Sequence, residues 1–203
     1  MSAWDTGSSR FGPFGAAFHA ADDRFETIEL IGPHLRVSGK ISLLRFSRLS
    51  DLINHGAGYV RLTEARLLRR NGEPTNLVVP ELMVNQDEIT FIAQQEEEVG
   101  GPTGPSDGMD RPLMERTARQ LVIFTPGHTL TGTVFLFSET DVVTFVDSPD
   151  PRFVPMVKVT ARSLADRRVI SHFAFVLINR TQMTAASLLE HAGGAAETGV
   201  AVE

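Results

Sequence analysis

Two asparagines raise the first chemical question. Asn85 lies in "LMVNQDEITFI" (82–92) and Asn179 in "VLINRTQMTAA" (176–186). Both runs read three apolar residues, Asn, three polar residues, a large apolar residue and Thr. A carboxamide carries both donors and an acceptor, enough to read the edge of a nucleobase or a small ligand. Asn also closes tight turns between strands, because it tolerates a left-handed backbone and bonds its own chain. The turn is the expectation here. In "SDLIN" (50–54), Asp51 and Asn54 could likewise meet a base edge, or Ser50 or Asp51 could cap a single helical turn over Leu52 and Ile53; the cap is expected.

Other chemistry is thinner. His34, His55, His128 and His172 show neither the i, i+4 helical spacing nor the close spacing of zinc motifs, so they read as turn and strand histidines. Arg66, Arg69 and Arg70, like Arg167 and Arg168, could rim a phosphate site. "RRNGEP" (69–74) carries the Asn-Gly signal of a solvated hairpin instead. "GGPTGP" (100–105) lacks the Lys-Ser or Lys-Thr of a phosphate loop. With no Cys there is no disulfide, thiolate ligand or thiol nucleophile. No nucleophile elbow or placed carboxylate pair appears, so neither an enzyme nor a cofactor is expected.

Bulk properties narrow the partners. A formal net charge of −6 opposes a broad nucleic-acid surface, which needs clustered cations. Glu96, Glu97 and Glu98 sit among Gly and Pro and read as a solvated linker. No apolar run approaches a membrane span, and the N-terminus lacks the pattern of a signal peptide, so a cytoplasmic location is expected.

The elements that must position these residues come in two sets. Residues 1–24 read as a flexible arm carrying Phe11, Phe14 and Phe18; residues 95–116 read as a flexible linker and residues 187–203 as a tail. Between them, 25–94 and 117–186 align at an offset of 93 or 94. "VSGKI" meets "LTGTV", "YVRLTEARLL" meets "FVPMVKVTAR", and, once a few residues are gapped, "SDLI" meets "TDVV". Several matches in register argue for a duplication. Each copy reads as five short strands without a helical pattern, which suggests a small closed or nearly closed barrel. In the third strand of each copy the apolar phase slips, from Val60 and Leu62 to Ala65 and Leu67, and from Val154 and Met156 to Val157, Val159 and Ala161. A period of two survives that slip only with a bulge, expected near Thr63 and near Val157.

Gly39 in the second strand, "SDLIN" (50–54) and "MVNQDEI" (83–89) resemble, in their order, the two motifs of Sm and Sm-like proteins. The nearest resemblance is to a bacterial family of Sm-like domains with "LSDLIN"-type loops and "VNxxxI" turns. It implies an all-β fold of two tandem, five-stranded, strongly bent Sm/SH3-like β-barrels, at 25–94 and 117–186. It also implies RNA contacts from Asp51, Asn54, Asn85, Asp141, Asn179 and Arg180. Asn85 stands where the family has Arg-Gly, and no Asn follows Asp141 at the matching place, so RNA binding is the alternative reading.

"VISHFAFVLI" (169–178) is apolar on both parities, with Phe173, Phe175 and Leu177 on one and Ala174, Val176 and Ile178 on the other. A strand apolar on both faces is covered on both. Phe173, Phe175, Val176 and Leu177 are therefore candidate interface residues, packing on the first copy or on another chain. Pro80 marks the first copy's fourth strand as an edge. By resemblance to Sm-like rings, edge strands of adjacent barrels would pair, and three chains would supply six barrels. The expected function is a non-enzymatic assembly or interaction module whose partner is itself or another protein. The second alternative is small-molecule binding or catalysis in a cleft between barrels.

Overall fold

The computed structural model describes residues 24–56, 58–94, 116–137 and 140–189. The first half contains β1 (Phe25–Ile31), β2 (Arg36–Ser42), α1 (Leu49–His55), β3 (Tyr59–Leu68), β4 (Pro74–Asn85) and β5 (Phe91–Gln94). The second contains β6 (Arg116–Phe124), β7 (His128–Phe137), α2 (Val142–Asp147), β8 (Phe153–Ser163), β9 (Ile170–Asn179) and β10 (Ala185–Leu188). Single 3-10 turns over Gln86–Glu88 and Arg180–Gln182 lead into β5 and β10. The N-terminal arm and the linker assigned from the sequence fall outside the described residues, Arg24 and Arg116 excepted. β10 runs to Leu188, into what the sequence assigned to the tail, because its backbone pairs with β6 from Ala185↔Phe124 to Leu188↔Leu121. Among the described residues no helix is long and apolar enough to cross a membrane.

All ten strands join one antiparallel sheet in the order β10-β6-β7-β8-β9-β5-β1-β2-β3-β4. The chain is all-β, as its alternation implies. Strands six to ten follow the same neighbour order as strands one to five. Closure into two separate barrels is not what the pairing gives: the sheet is open, with β4 and β10 at its ends. The physical reason lies in β5. One edge of β5 pairs with β1 and the other with β9, so no edge is left for β4.

Bends let each half wrap an apolar cluster. The β2–β3 register shifts between Ser38 and Lys40, and the β7–β8 register between Thr131 and Thr133. Opposite those shifts Glu64 and Lys158 take φ of 51° and 53°, each one residue from its expected bulge position. A Cβ on Gly39 would lie 3.1 Å from Thr63 O, and one on Gly132 would lie 2.9 Å from Val157 O. Glycine at both sites lets the bulged strand cross its neighbour at close range.

The two clusters exchange side chains. Ile28, Val37, Ile41, Leu62 and Ile92 pack with Phe153 and Leu177 of the second half. Leu121, Leu130, Met156, Val159 and Ile178 pack with Ile31, Phe91 and Ala93 of the first. Successive strand residues face opposite sides, so Ile92 enters one cluster while Phe91 and Ala93 enter the other. On β9, Leu177 enters one and Val176 and Ile178 the other.

The helices correct one expectation. Ser50 and Asp51 do not cap α1; its N-cap is Arg48, with no side-chain cap bond, and Asp51 lies within the first turn. A side-chain cap does occur in the second half, where Asp141 Oδ1 accepts from Thr144 N at 2.7 Å.

Candidate functional site

The candidate site is the sheet edge, seen in two states: covered where the halves meet and bare at β4. The covered state begins with backbone pairing of Phe91↔Ile178, Ile92↔Leu177 and Ala93↔Val176. Beyond the ladder, Asn179 N donates to Thr90 O at 3.0 Å. The fully buried Asn179 side chain donates through Nδ2 to Gln86 O (3.0 Å) and Ile89 O (2.8 Å). Its Oδ1 accepts from Thr181 N, which caps its own turn. One carboxamide thus shapes its turn and bonds the carbonyls of the other half.

A second clamp comes from α1. Asn54 Nδ2 donates to Phe153 O at 3.0 Å, and Phe153 N donates to Asn54 Oδ1 at 2.8 Å. Gln86, 3% exposed, links the clamps: its Nε2 donates to Ile53 O at 3.0 Å. Gln182 Nε2 donates to Asp87 O at 2.8 Å, and Arg152 pairs with the Asp87 carboxylate. Phe91 completes the seam by packing edge-on against His128 (5.4 Å) and Phe173 (6.0 Å).

His128 sits in that apolar wall. Burial, and secondarily the Arg36 guanidinium, hold its pKa below the usual 6.5. Its Nδ1 is buried without a hydrogen-bond partner, which suits a neutral ring. Arg36 itself pairs with the buried carboxylate of Glu29 and donates through Nη1 to Arg70 O at 2.8 Å. Ile31, Arg36, Phe91, His128, Ala161 and Phe173 surround a cavity of about 10 Å³, close to the room one water needs.

The bare state is β4, the counterpart of β9. Leu82, Met83, Val84 and Asn85, with His34, Leu35 and Glu88, line an open groove of about 220 Å³. Met83 is 53% exposed, whereas Leu177 at the matching place is 0%. Asn85 Oδ1 accepts from Asp87 N, as Asn179 Oδ1 does from Thr181 N. Among the described residues, nothing accepts from Asn85 Nδ2. Both asparagines keep extended backbone, φ −64° and −75°, so the left-handed turn expected of them is replaced by capping of a 3-10 turn.

The other sequence candidates divide between seam and surface. Val176 and Leu177 are buried at the seam, Phe175 is half-buried against the first cluster, and Phe173 is half-buried against the second. Arg180 donates to Phe145 O and to Ser148 O (2.8 Å) with its guanidinium over the Phe145 ring; burial lowers its pKa. Asp141 is exposed at its cap, where hydrogen bonds from Thr144 lower its pKa. The structure brings Asn54 and Asn179 into one network and leaves Asp51 and Asp141 out of it. Each histidine the sequence singles out beyond His34 has its own contact: His55 with Phe46 and Asp51 O, His172 with Thr160, His128 with Phe91. Among the described residues no three His, Asp or Glu side chains gather as a metal site would need.

Sequence reasoning missed Gln86, Arg152 and Phe91. "ITFIA" (89–93) is apolar on both parities, the same signal that marked β9, and could have flagged Phe91. Gln86 and Arg152 carry no local signal, since their roles depend on the other half. Searched against protein-family models, curated proteins and solved structures, the chain has no match.

Proposed function

We propose that this chain is a non-enzymatic assembly module built from two tandem Sm-like units, acting through its free sheet edges. The observation that carries this reading is the contrast between β9 and β4. The β9 edge is closed by a strand, two carboxamide clamps and exchanged core residues, while the equivalent β4 edge presents an apolar groove beside a ladder that no described strand pairs. An edge with unpaired N–H and C=O groups is a template for another strand. The repeated strand order and the repeated bulges support a duplication.

RNA binding has less to work with, because Asn54, Asn179 and Arg180 already bond backbone groups of this chain. The seam cavity beside His128 has room for about one water, which gives a cleft chemistry there little to work with.

Light scattering across a concentration series tests the reading. The expected mass rises above one 22.2 kDa chain and approaches three chains if six units close a ring. Met83→Arg, which places a charge in the groove, is expected to return the mass to a single chain. A wild-type chain that stays single at hundreds of micromolar would sink the assembly reading.

A further inference from the structure

We infer that His128 is a latch on the seam: neutral, it lets the two halves close on each other, and protonated, it makes them part while each half stays folded. The inference is independent of the assembly reading. It rests on where the imidazole lies and on what faces it.

His128 opens β7 in the second half, yet its ring packs on Phe91 of the first, with centroids 5.4 Å apart and the planes perpendicular. Its Nδ1 is buried and has no hydrogen-bond partner. The cavity beside it has walls from both halves, Ile31, Arg36 and Phe91 on one side and Ala161, Ser163 and Phe173 on the other. Among the described residues that line it, Arg36 is the one fixed charge, and its guanidinium is already engaged. Arg36 Nε pairs with the Glu29 carboxylate, and Nη1 donates to Arg70 O at 2.8 Å. Arg162 and His172 are neighbours in sequence of the lining residues and therefore sit on the opposite faces of β8 and β9.

A proton on His128 places a second cation beside Arg36 with no free carboxylate facing it. A charge buried without a partner is costly, whereas water would solvate the ring once the halves stood apart. Burial first, and Arg36 second, hold the pKa of the closed state below 6.5. The open state therefore takes the proton more readily. Lowering the pH from about 6.5 favours opening, and raising it restores closure.

The seam is also where the sheet is thinnest. Its ladder spans only Phe91–Ala93 against Val176–Ile178, while β6 pairs with β7 from Arg116 to Phe124. Short ladders open locally at less cost than long ones. Phe91, the ring that His128 touches, is an end residue of that short ladder. Opening bares one edge of β5 and one of β9, so mild acid adds two edges able to take another strand.

Hydrogen exchange of the full chain in dilute solution, read by mass spectrometry, tests the latch. Labelling times are scaled at each pH so that unprotected amides exchange equally. Segments 90–94, 151–154 and 176–180 report the seam, through amides such as Phe153 N on Asn54 Oδ1 and Asn179 N on Thr90 O. Segments 60–66 and 117–123 report the two halves. From about pH 7.5 to about pH 5.5 the seam is expected to lose protection several-fold, up to about tenfold, the bound for a ring that titrates near 6.5 when open. The two half segments are expected to keep theirs. In His128→Phe, which keeps a ring against Phe91 but takes no proton, the loss should vanish, and His128→Gln checks the same point with a smaller side chain. Equal losses in seam and halves would make His128 a group of the whole fold and overturn the inference. So would a loss that persists in both His128 variants and disappears in Asp87→Asn, which would assign the response to the Arg152–Asp87 pair across the seam. Seam protection that does not change with pH would overturn it as well.

Discussion

β4 and β9 occupy the same place in the two halves, yet one is bare and the other is sealed. Val176, Leu177 and Ile178 are buried to within 1%, while Met83 is half exposed and Leu82 half-buried. Both strands carry apolar residues there and both end in an asparagine that caps a 3-10 turn. The difference comes from the strand alongside. β5 covers β9, and among the described residues nothing covers β4. Burial of an edge strand is thus a property of its neighbour as much as of its own sequence.

The sharpest way to break the comparison is truncation at the matched pair. Leu177→Ala leaves a hole in the first half's apolar cluster and is expected to cost about 2–5 kcal/mol of unfolding stability. Met83→Ala, measured in dilute solution, is expected to fall within about 0.5 kcal/mol of wild type. Urea titration of both variants reads the difference directly, and equal losses would mean that β4 is covered as well.

The asparagines give the next largest contrast. Asn179→Ala removes the buried hydrogen bonds to Gln86 O and Ile89 O, of which Gln86 O still accepts from Ile89 N, and is expected to cost about 1–3 kcal/mol. Asn85→Ala loses only a turn cap in the single chain, at about 0.5–1 kcal/mol, the lower part of the range for lost caps. Thermal denaturation distinguishes them, and a larger loss at Asn85 would contradict the assignment of the seam.

The smallest effect sharpens the seam electrostatically. His128 has a folded pKa below 6.5, from burial first and Arg36 second. The unfolded ring therefore takes a proton more readily than the folded one. Stability is full above about pH 6.5 and falls as the pH descends from there through the folded pKa. Glu29, whose carboxylate pairs with Arg36, is the acidic group of that ion pair. His128→Gln removes this component, so the wild-type-minus-variant stability difference should decline as pH falls from about 7.5 to about 5.5. A difference that is flat or rises on acidification would place His128 elsewhere than in an apolar wall.

Much of this fold is legible in the residues themselves. β1 and β3 run over the segments their alternation marks, and the phase slips in "YVRLTEARLL" and "FVPMVKVTAR" mark the bulges to within one residue, because side-chain parity is a local property. Val176 and Leu177 stand out for the same reason, being apolar on both faces. The asparagine phrase is equally visible, but its meaning is not. Asn179 reads as a turn residue, and its bonds to Gln86 O and Ile89 O follow from a strand that lies far away in sequence.

What the sequence alone determined is the all-β class, the strand phases, the bulges and the similarity of the two halves, all of them carried by spacing along the chain. Tertiary structure alone decided that β5 turns its second edge to β9 and not to β4, so that the sheet stays open and, among the described residues, one edge of each half has no strand beside it. Backbone N–H and C=O groups are the same on every strand. Which edge pairs with which is therefore set by how the cores interlock, through Phe91, Phe153 and Leu177, and no local pattern encodes it.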